Sequence, residues 1–477
     1  MNVYTPFDKD LNNLEQSDLQ ELIDRAICEG WYIEYKSDFP KKGSGFDQDK
    51  IAKSVSAFAN TKGGWLFYGI QSDSKNAPTN LLGLDLSTFN NLADQISQII
   101  VNNINPKPVF HIKEVALENN CSIVVLKIEE SPTPPYITSQ GVIYQRQNSE
   151  SSPIKERYIL ERMAEKTNEY YESIERFCVN EYTETKGQSE SGRTFLELYL
   201  FPLPFNDFHF TDFFASDFFA KVAGIFYQNI DFVYQLENGE EMSASLTIPF
   251  NSIYSEHNSL IIRPLSEDTI IYKITTAELF RNGGLKFTIP LNEFSLNEIP
   301  DVFRHSDTLT YLLDRYNPFE LVYDTDFMGR SNGTTSRQRK KSDFANHIKM
   351  IDGTHLLLIM SIMVTKYKTV LEQAGFDFTM DIGFRAKLTE TWRKFVFFDN
   401  VDYLEKIKKF NVPITPKNEI EIPRFIKGNY YRYKLDDPVA SFSMAREILR
   451  GIGLPDSASI NFGELFRDGL LRFKGSD

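Results

Sequence analysis

The chain has 477 residues with a formal net charge of −14, 41% hydrophobic residues and three cysteines. That length holds two to four domains with cores of their own, and the acidic balance excludes indiscriminate polyanion binding, so any nucleic-acid contact needs a local basic patch. Cys28, Cys121 and Cys178 lie far apart with no CxxC, which argues against a disulfide framework or zinc knuckle and fits a reducing cytoplasm.

The start, MNVYTPFDKDLNN, has neither a basic nor an apolar targeting segment. Residues 14–28 place Leu19, Leu22, Ile23, Ala26 and Ile27 at helical spacing behind Ser17, a candidate N-cap. A strand follows at 31–36. Its alternation sets Glu34 and Lys36 on one side, opposite Ile33 and Tyr35. FPKKGSGFDQD reads as a loop, and 48–60 as a helix with Ile51, Val55, Phe58 and Ala59 on one face. Asn60 and Gly63 are candidates for a left-handed helix end. WLFYGI is a buried strand and NLLGL a short one. The spacing then predicts a helix over 88–104, stopped by Pro106. PVFHIKEVAL and CSIVVLKIEE form a hairpin, VIYQRQNS a strand, and SPIKERYILERMAEKT a helix with Ser152 and Pro153 at its start.

These elements make one α/β domain over residues 1–170, with the helix end and a polar linker at 171–194. Residues 195–477 then read as an α+β C-terminal domain with strand-rich and helical parts. Strands crowd 195–292, helix fits 300–323, and strands fall near 376–398 with a helical region from 438. A sub-boundary is marked by the loop at 329–342, which carries Arg330, Arg337, Arg339, Lys340 and Lys341 and no acid. HLLLIMSIMV at 355–364 is too short to span a bilayer and reads as part of a buried helix, so no membrane partner is expected.

GWYIEYKSDF, IAKSVSAFANTKGGWLFYGI, LLGL, NNINPKPVF, VVLKIEESPTPPYITSQGVIYQRQNSESSP and ILERM, in this order, resemble the Schlafen AlbA-like (AlbA_2) domain of bacterial type, over roughly residues 14–168. The resemblance implies nucleic-acid binding and, in several members, a metal-dependent endoribonuclease acting on tRNA or rRNA, with roles that include anti-phage defence. It implies a three-carboxylate site holding Mg or Mn. Glu29 and Glu34 fall on the first two positions and Lys36 on the family lysine. Gln71 stands where the third acid is expected, leaving Asp73 to take its place. It also assigns Lys36, Asn60, Lys62, Gly63, Gly64 and Arg146 to nucleic-acid contact, and the basic residues Arg337, Arg339, Lys340 and Lys341 are a second candidate arm.

Chemistry allows this reading, since clustered carboxylates with a divalent ion stabilise the phosphate charge and activate a nucleophile. The plain alternatives stay open: a surface Glu–Lys pair on an edge strand, a helix C-cap at NTKGG, and a solvated basic loop. No GxxxxGK[ST] occurs, so no ATP site is evident, and six dispersed histidines give no zinc motif. The expected partner is RNA of tRNA type, with DNA, a second copy of the chain and a phage-derived trigger protein as further candidates. Two rivals to a nuclease remain: a non-catalytic nucleic-acid-binding regulator, favoured by Gln71, and a sensor or scaffold whose second half binds a partner.

Overall fold

The structure is a computed structural model that describes residues 4–43, 45–85, 91–119, 121–179, 192–235, 241–246, 248, 250–265, 275–295, 298–300, 303, 306–315, 321–322, 337–338, 349–376, 381–399, 401–412, 414–437, 439–454 and 471–473. It divides into two units, Met1–Ser173 and Ile174–Asp477.

The first unit contains α1 (Gln16–Asp24), β1 (Ile33–Lys36), β2 (Lys41–Lys42), β3 (Gly45–Phe46), α2 (Gln48–Ala59), β4 (Gly64–Tyr68), β5 (Ile70–Ser72), β6 (Pro78–Leu81), α3 (Leu92–Asn103), β7 (Ile104–Asn105), β8 (Phe110–Ala116), β9 (Ser122–Ile128), β10 (Ile137–Thr138), β11 (Tyr144–Gln147), β12 (Glu150–Pro153) and most of α4 (Arg157–Phe177), whose residues from 174 on belong to the second unit. Its main sheet runs β1-β4-β9-β8. The β1–β4 pair is parallel, because α2 crosses between them, while β4–β9 and β8–β9 are antiparallel. Alternation along β4 sends Leu66 and Tyr68 towards α2 and α3, in a core with Val55, Phe58, Ile96 and Ile100. Trp65 and Phe67 go to the opposite face, in a core with Leu19, Leu22, Ile33 and Tyr35. Apolar cover on both faces explains why every residue of β4 is buried.

Local chemistry moved three boundaries. The N-cap of α1 is Glu15, which forms a reciprocal capping box with Asp18, so Ser17 lies inside the helix. At the end of α2, Asn60 keeps right-handed helical dihedrals and Gly63 alone takes the left-handed turn, with φ +67°. Ser152 and Pro153 do not open a helix: they pair with β11 in a hairpin, Gln145 opposite Ser152 and Tyr144 opposite Pro153, and α4 starts at Arg157.

The second unit contains β13 (Phe195–Pro202), α5 (Ser216–Tyr227), β14 (Ile230–Gln235), β15 (Glu241–Leu246), β16 (Ser252–Glu256), β17 (Ser259–Arg263), β18 (Thr276–Phe280), β19 (Leu285–Pro290), β20 (Glu293–Ser295), α6 (Asp307–Arg315), β21 (Leu321–Val322), β22 (Arg337–Gln338), β23 (Lys349–Asp352), α7 (Gly353–Gln373), β24 (Ile382–Thr389), β25 (Lys394–Phe397), α8 (Val401–Phe410), β26 (Glu419–Ile422), β27 (Tyr431–Tyr433), α9 (Ala440–Ile452) and β28 (Leu471–Phe473). An antiparallel sheet ordered β16-β17-β18-β19-β13-β24-β26, with β27 also on β24, forms its floor. Leu196, Leu198 and Leu200 of β13 join Leu356, Met360 and Met363 of α7 in one large core. The apolar run at 355–364 is thus the buried helix α7. Helix α5 falls inside 195–292, which was expected to be strand-rich, and α8 falls between the strands expected near 376–398 and the helical region expected from 438.

No helix among the described residues is long and apolar enough to cross a membrane. Arg337 lies in β22, paired with Val322, whereas Arg330, Arg339, Lys340 and Lys341 lie outside the described residues.

Candidate nucleic-acid interface

Strand β1 is at the edge of its sheet, and one of its faces looks onto α2. Glu34 faces α2 and is only 4% exposed. Burying a lone carboxylate is costly, so Glu34 must be paired. Its Oε2 accepts from Arg146 Nη1 at 2.7 Å, and its Oε1 lies 2.8 Å from Lys36 Nζ and 3.4 Å from the Ser54 hydroxyl.

Arg146 comes from β11 and is itself 1% exposed. Its Nη2 donates to the carbonyls of Gly30 at 2.8 Å and Ile33 at 3.3 Å, and its guanidinium stacks 4.4 Å from the Phe58 ring centroid. Burial draws the Arg146 pKa below its usual value, and Glu34 opposes that shift. The arginine is an internal counter-ion, out of reach of a polyanion. Lys36 differs: its side chain is 44% exposed, so its ammonium bridges the buried acid and the solvent.

That ammonium opens into a cleft of about 460 Å³ lined by Lys36, Lys50, Lys53, the acids Glu34, Asp38 and Glu150, and Ser54, Ser149 and Ser151 among others. Lys50 and Lys53 lie one turn apart on α2, and Lys53 Nζ sits 5.6 Å from the Tyr144 ring centroid. From Lys36 to Lys53 the sequence has five lysines against three aspartates, on a chain of net charge −14. The three lysines of the cleft stand among the acids Glu34, Asp38 and Glu150, and Lys50 Nζ lies 3.5 Å from Asp47, so the lysines cluster locally without an excess of positive charge. Sequence reading missed Lys50 and Lys53, although their i, i+3 spacing on the polar side of α2 was there to be seen.

The other expected contacts serve the fold. Asn60 is 8% exposed; its Nδ2 donates to the carbonyls of Tyr136 at 2.8 Å and Tyr144 at 2.9 Å, while its Oδ1 accepts from Tyr136 N at 2.6 Å. A Cβ on Gly63 would come within 2.6 Å of Glu130 N and Ile128 O, and one on Gly64 within 2.6 Å of Tyr32 O and the Phe58 ring. The close backbone approach at these glycines is therefore to the chain itself, not to a ligand. Lys62 is half-exposed, 3.8 Å from Glu130, and is not among the residues lining the cleft.

The three carboxylates expected around a metal do not form a site. Glu29 Oε1 accepts from Tyr35 N at 3.1 Å and the Ser72 hydroxyl at 3.3 Å, and burial raises its pKa. Asp73 is exposed, and its Oδ1 accepts from Lys75 N at 2.8 Å and Ala77 N at 2.9 Å, bonds that lower its pKa. It closes a surface turn. Among the described residues no three His, Cys, Asp or Glu are grouped to hold a metal. A hard divalent cation takes six or more oxygens, whereas both Glu34 oxygens already face cations; Glu29, Glu34 and Asp73 as placed do not fit Mg or Mn.

Comparison with known proteins agrees with this region as the recognisable part. Residues 29–155 match the sequence model of the family described as Schlafen, AlbA_2. An uncharacterized ATP-binding protein of Ureaplasma parvum is 25% identical over 126 residues, covering 24% of this chain and 33% of its own length. The chain thus spans about a third of that curated relative. A solved structure, the DIP2311 protein from Corynebacterium diphtheriae, matches at 17% identity over 30% of each chain with a TM-score of 0.22, too low to bear on the fold.

Proposed function

Residues 29–155 of this chain are a Schlafen AlbA_2 domain, and from that premise we propose that the protein binds the phosphate backbone of a nucleic acid in the cleft beside β1 without cutting it. The observation that carries this reading is the Arg146–Glu34–Lys36 chain of ion pairs. Arg146 neutralises Glu34 from below, so Lys36 contributes its positive charge outward, next to Lys50 and Lys53. Three ammonium groups with the hydroxyls of Ser54, Ser149 and Ser151 provide donors for phosphate oxygens, which position a strand without reading its bases. Glu34 in this role orients the lysine; it neither activates water nor holds an ion. A metal-dependent endoribonuclease of the expected kind would require a different arrangement of Glu29, Glu34 and Asp73.

The test is fluorescence anisotropy of the full chain with labelled single-stranded RNA, the same sequence in DNA, and the two duplexes, across a salt series. Combining Lys36→Gln, Lys50→Gln and Lys53→Gln should weaken binding to the preferred form and reduce the log–log salt slope by about two units on a single strand, near 0.7 per phosphate contact. An unchanged slope would remove the cleft from the binding surface. Each substrate is also incubated with Mn²⁺, Mg²⁺ or EDTA. Metal-dependent cleavage that disappears in Glu29→Gln, with binding intact, would overturn the non-cutting part and restore the nuclease.

A further inference from the structure

A second polar cleft lies in the second unit, far in sequence from the first. Three connections converge there: the segment after β13, the tight turn between β16 and β17, and the turn between β18 and β19. They bring Asn206, His209, Asn258, Phe280, Arg281 and Asn282 around a cavity of about 290 Å³. The connections are bonded to one another. Arg281 N donates to Asn258 O at 2.8 Å, Phe210 N to Arg281 O at 2.9 Å, and Asn282 Nδ2 to Asn206 Oδ1 at 2.6 Å. Asn282 Oδ1 in turn accepts from Gly284 N at 3.0 Å. Backbone conformation supports this build, with Gly283 at φ +77° and Asn206 at φ +70°.

These bonds use up acceptors and leave donors. The oxygens of Asn206 and Asn282 are both engaged, while the Asn206 amide NH₂, the exposed Arg281 guanidinium and the exposed His209 ring remain for a ligand. No carboxylate lines the cleft among the described residues, on a chain where acids outnumber bases by 66 to 52. Phe280 gives the cavity one apolar wall. Donors and an aromatic residue lining one cavity are complementary to an anion attached to a flat ring, and arginine is suited to planar, bidentate phosphate recognition. The volume lies just under the usual range of ligand clefts, about 300 to 1,000 Å³, which limits the ligand to a small one. We infer that this cleft binds a phosphorylated small molecule of nucleoside monophosphate size, with Arg281 and His209 at the phosphate and Phe280 against the ring. The inference stands on other residues than the backbone-binding cleft and does not depend on it.

Calorimetric titration of the full chain with adenosine monophosphate, ribose 5-phosphate and inorganic phosphate tests it. Saturable binding is expected for all three, tightest for the monophosphate. Arg281→Gln should weaken each by about tenfold or more, and His209→Gln by less, because the guanidinium can offer a phosphate two parallel charge-assisted bonds and the imidazole ring only one. Both residues are exposed, so thermal midpoints should not move. The triple lysine variant of the first cleft should bind these probes as the unaltered chain does, which separates the two sites. Absence of saturable binding at millimolar probe would overturn the proposal, as would full affinity in Arg281→Gln. Equal affinity for phosphate and the monophosphate would overturn the ring contact.

Discussion

Arg146 in the first unit and Arg385 in the second are both fully buried, and each is neutralised by a glutamate. Arg385 meets Glu175 with two bonds, Nη1 at 2.8 Å and Nη2 at 2.6 Å, and also donates from Nε to the carbonyl of Asn429 and from Nη2 to that of Ile426. Its ring neighbour is Phe425, at 4.9 Å, as Phe58 is for Arg146. The difference lies in the carboxylate. Glu175 keeps 31% of its side chain exposed and ends the network there, whereas Glu34 keeps 6% and passes the interaction on to the half-exposed Lys36. A buried ion pair is a scaffold when it closes on itself. It becomes part of a site when one partner holds a third, exposed charge in place.

The largest test of this contrast is removal of the two arginines. Arg146→Met should cost about 3–5 kcal/mol, because a carboxylate with little access to water loses its main counter-ion. Arg385→Met should cost less, about 2 kcal/mol, since Glu175 can turn to solvent and the loss is chiefly unpaired carbonyls. Urea unfolding of each variant against the unaltered chain, followed by far-ultraviolet circular dichroism, measures the two costs. Adding Glu34→Leu to Arg146→Met should restore most of the stability but release Lys36 and weaken nucleic-acid binding. Equal costs for the two arginines would erase the distinction drawn between them.

A finer comparison uses two side chains that each satisfy three backbone groups. Asn60 ties N and O of Tyr136 and O of Tyr144, and Lys366 donates to the carbonyls of Ile225 at 2.6 Å, Phe226 at 3.2 Å and Gln228 at 2.7 Å, at the end of α5. Asn60→Ala should cost about 2–3 kcal/mol, leaving a buried donor and acceptors without partners. Lys366→Met should cost about 1–2 kcal/mol. There the loss of bonds is partly offset by no longer burying an ammonium, whose pKa burial lowers to about 8. If Asn60→Ala left stability intact while abolishing nucleic-acid binding, Asn60 would be a ligand contact after all.

The helices and the main-sheet strands β1, β4, β8 and β9 could be read from the sequence because their periods are unbroken, whereas the short β2–β3 hairpin inside FPKKGSGFDQD, expected as a loop, could not. Ile51, Val55 and Phe58 repeat at helical spacing, and β4 is a continuous apolar run between two covered faces. The second unit resisted because its aromatic residues serve both kinds of element: Phe218, Phe219 and Phe226 of α5 pack as helix neighbours of the same core that the strand residues fill. At the site, the Glu34–Lys36 face was legible from alternation alone. Which cation buries Glu34 was not, because Arg146 lies 112 residues away and its burial depends on the β11–β12 hairpin, where a helix start was expected. For the same reason Asn60 and the glycines looked like ligand contacts. A residue fixed by a long-range backbone bond and a residue fixed by a ligand leave the same mark on a sequence.

The smallest expected effect concerns Glu29, and its sign separates a structural carboxyl from a catalytic one. Burial raises its pKa above the ordinary 4.5, while Lys36 and the bond from Tyr35 N pull it back. A folded-state pKa above the unfolded one means that the folded chain binds more protons between the two values. Stability contributed by this group is therefore present at low pH and lost as pH rises through that window, then flat. Glu29→Gln keeps an oxygen for Tyr35 N and Ser72, removes the titration, and should flatten unfolding free energy just above pH 4.5. At neutral pH the variant should be as stable as the original or slightly more so, by under about 1 kcal/mol, because Glu29 is only half-buried and water screens it. Asp352, the N-cap of α7, is the matching case in the second unit: burial raises it, and its oxygen accepts from His355 N at 3.1 Å. Asp352→Asn preserves a good cap and should show the same loss of slope. A Glu29→Gln variant clearly less stable at pH 7 would mean that the ionised carboxylate holds a cation, and would place Glu29 at the centre of the site rather than in its frame.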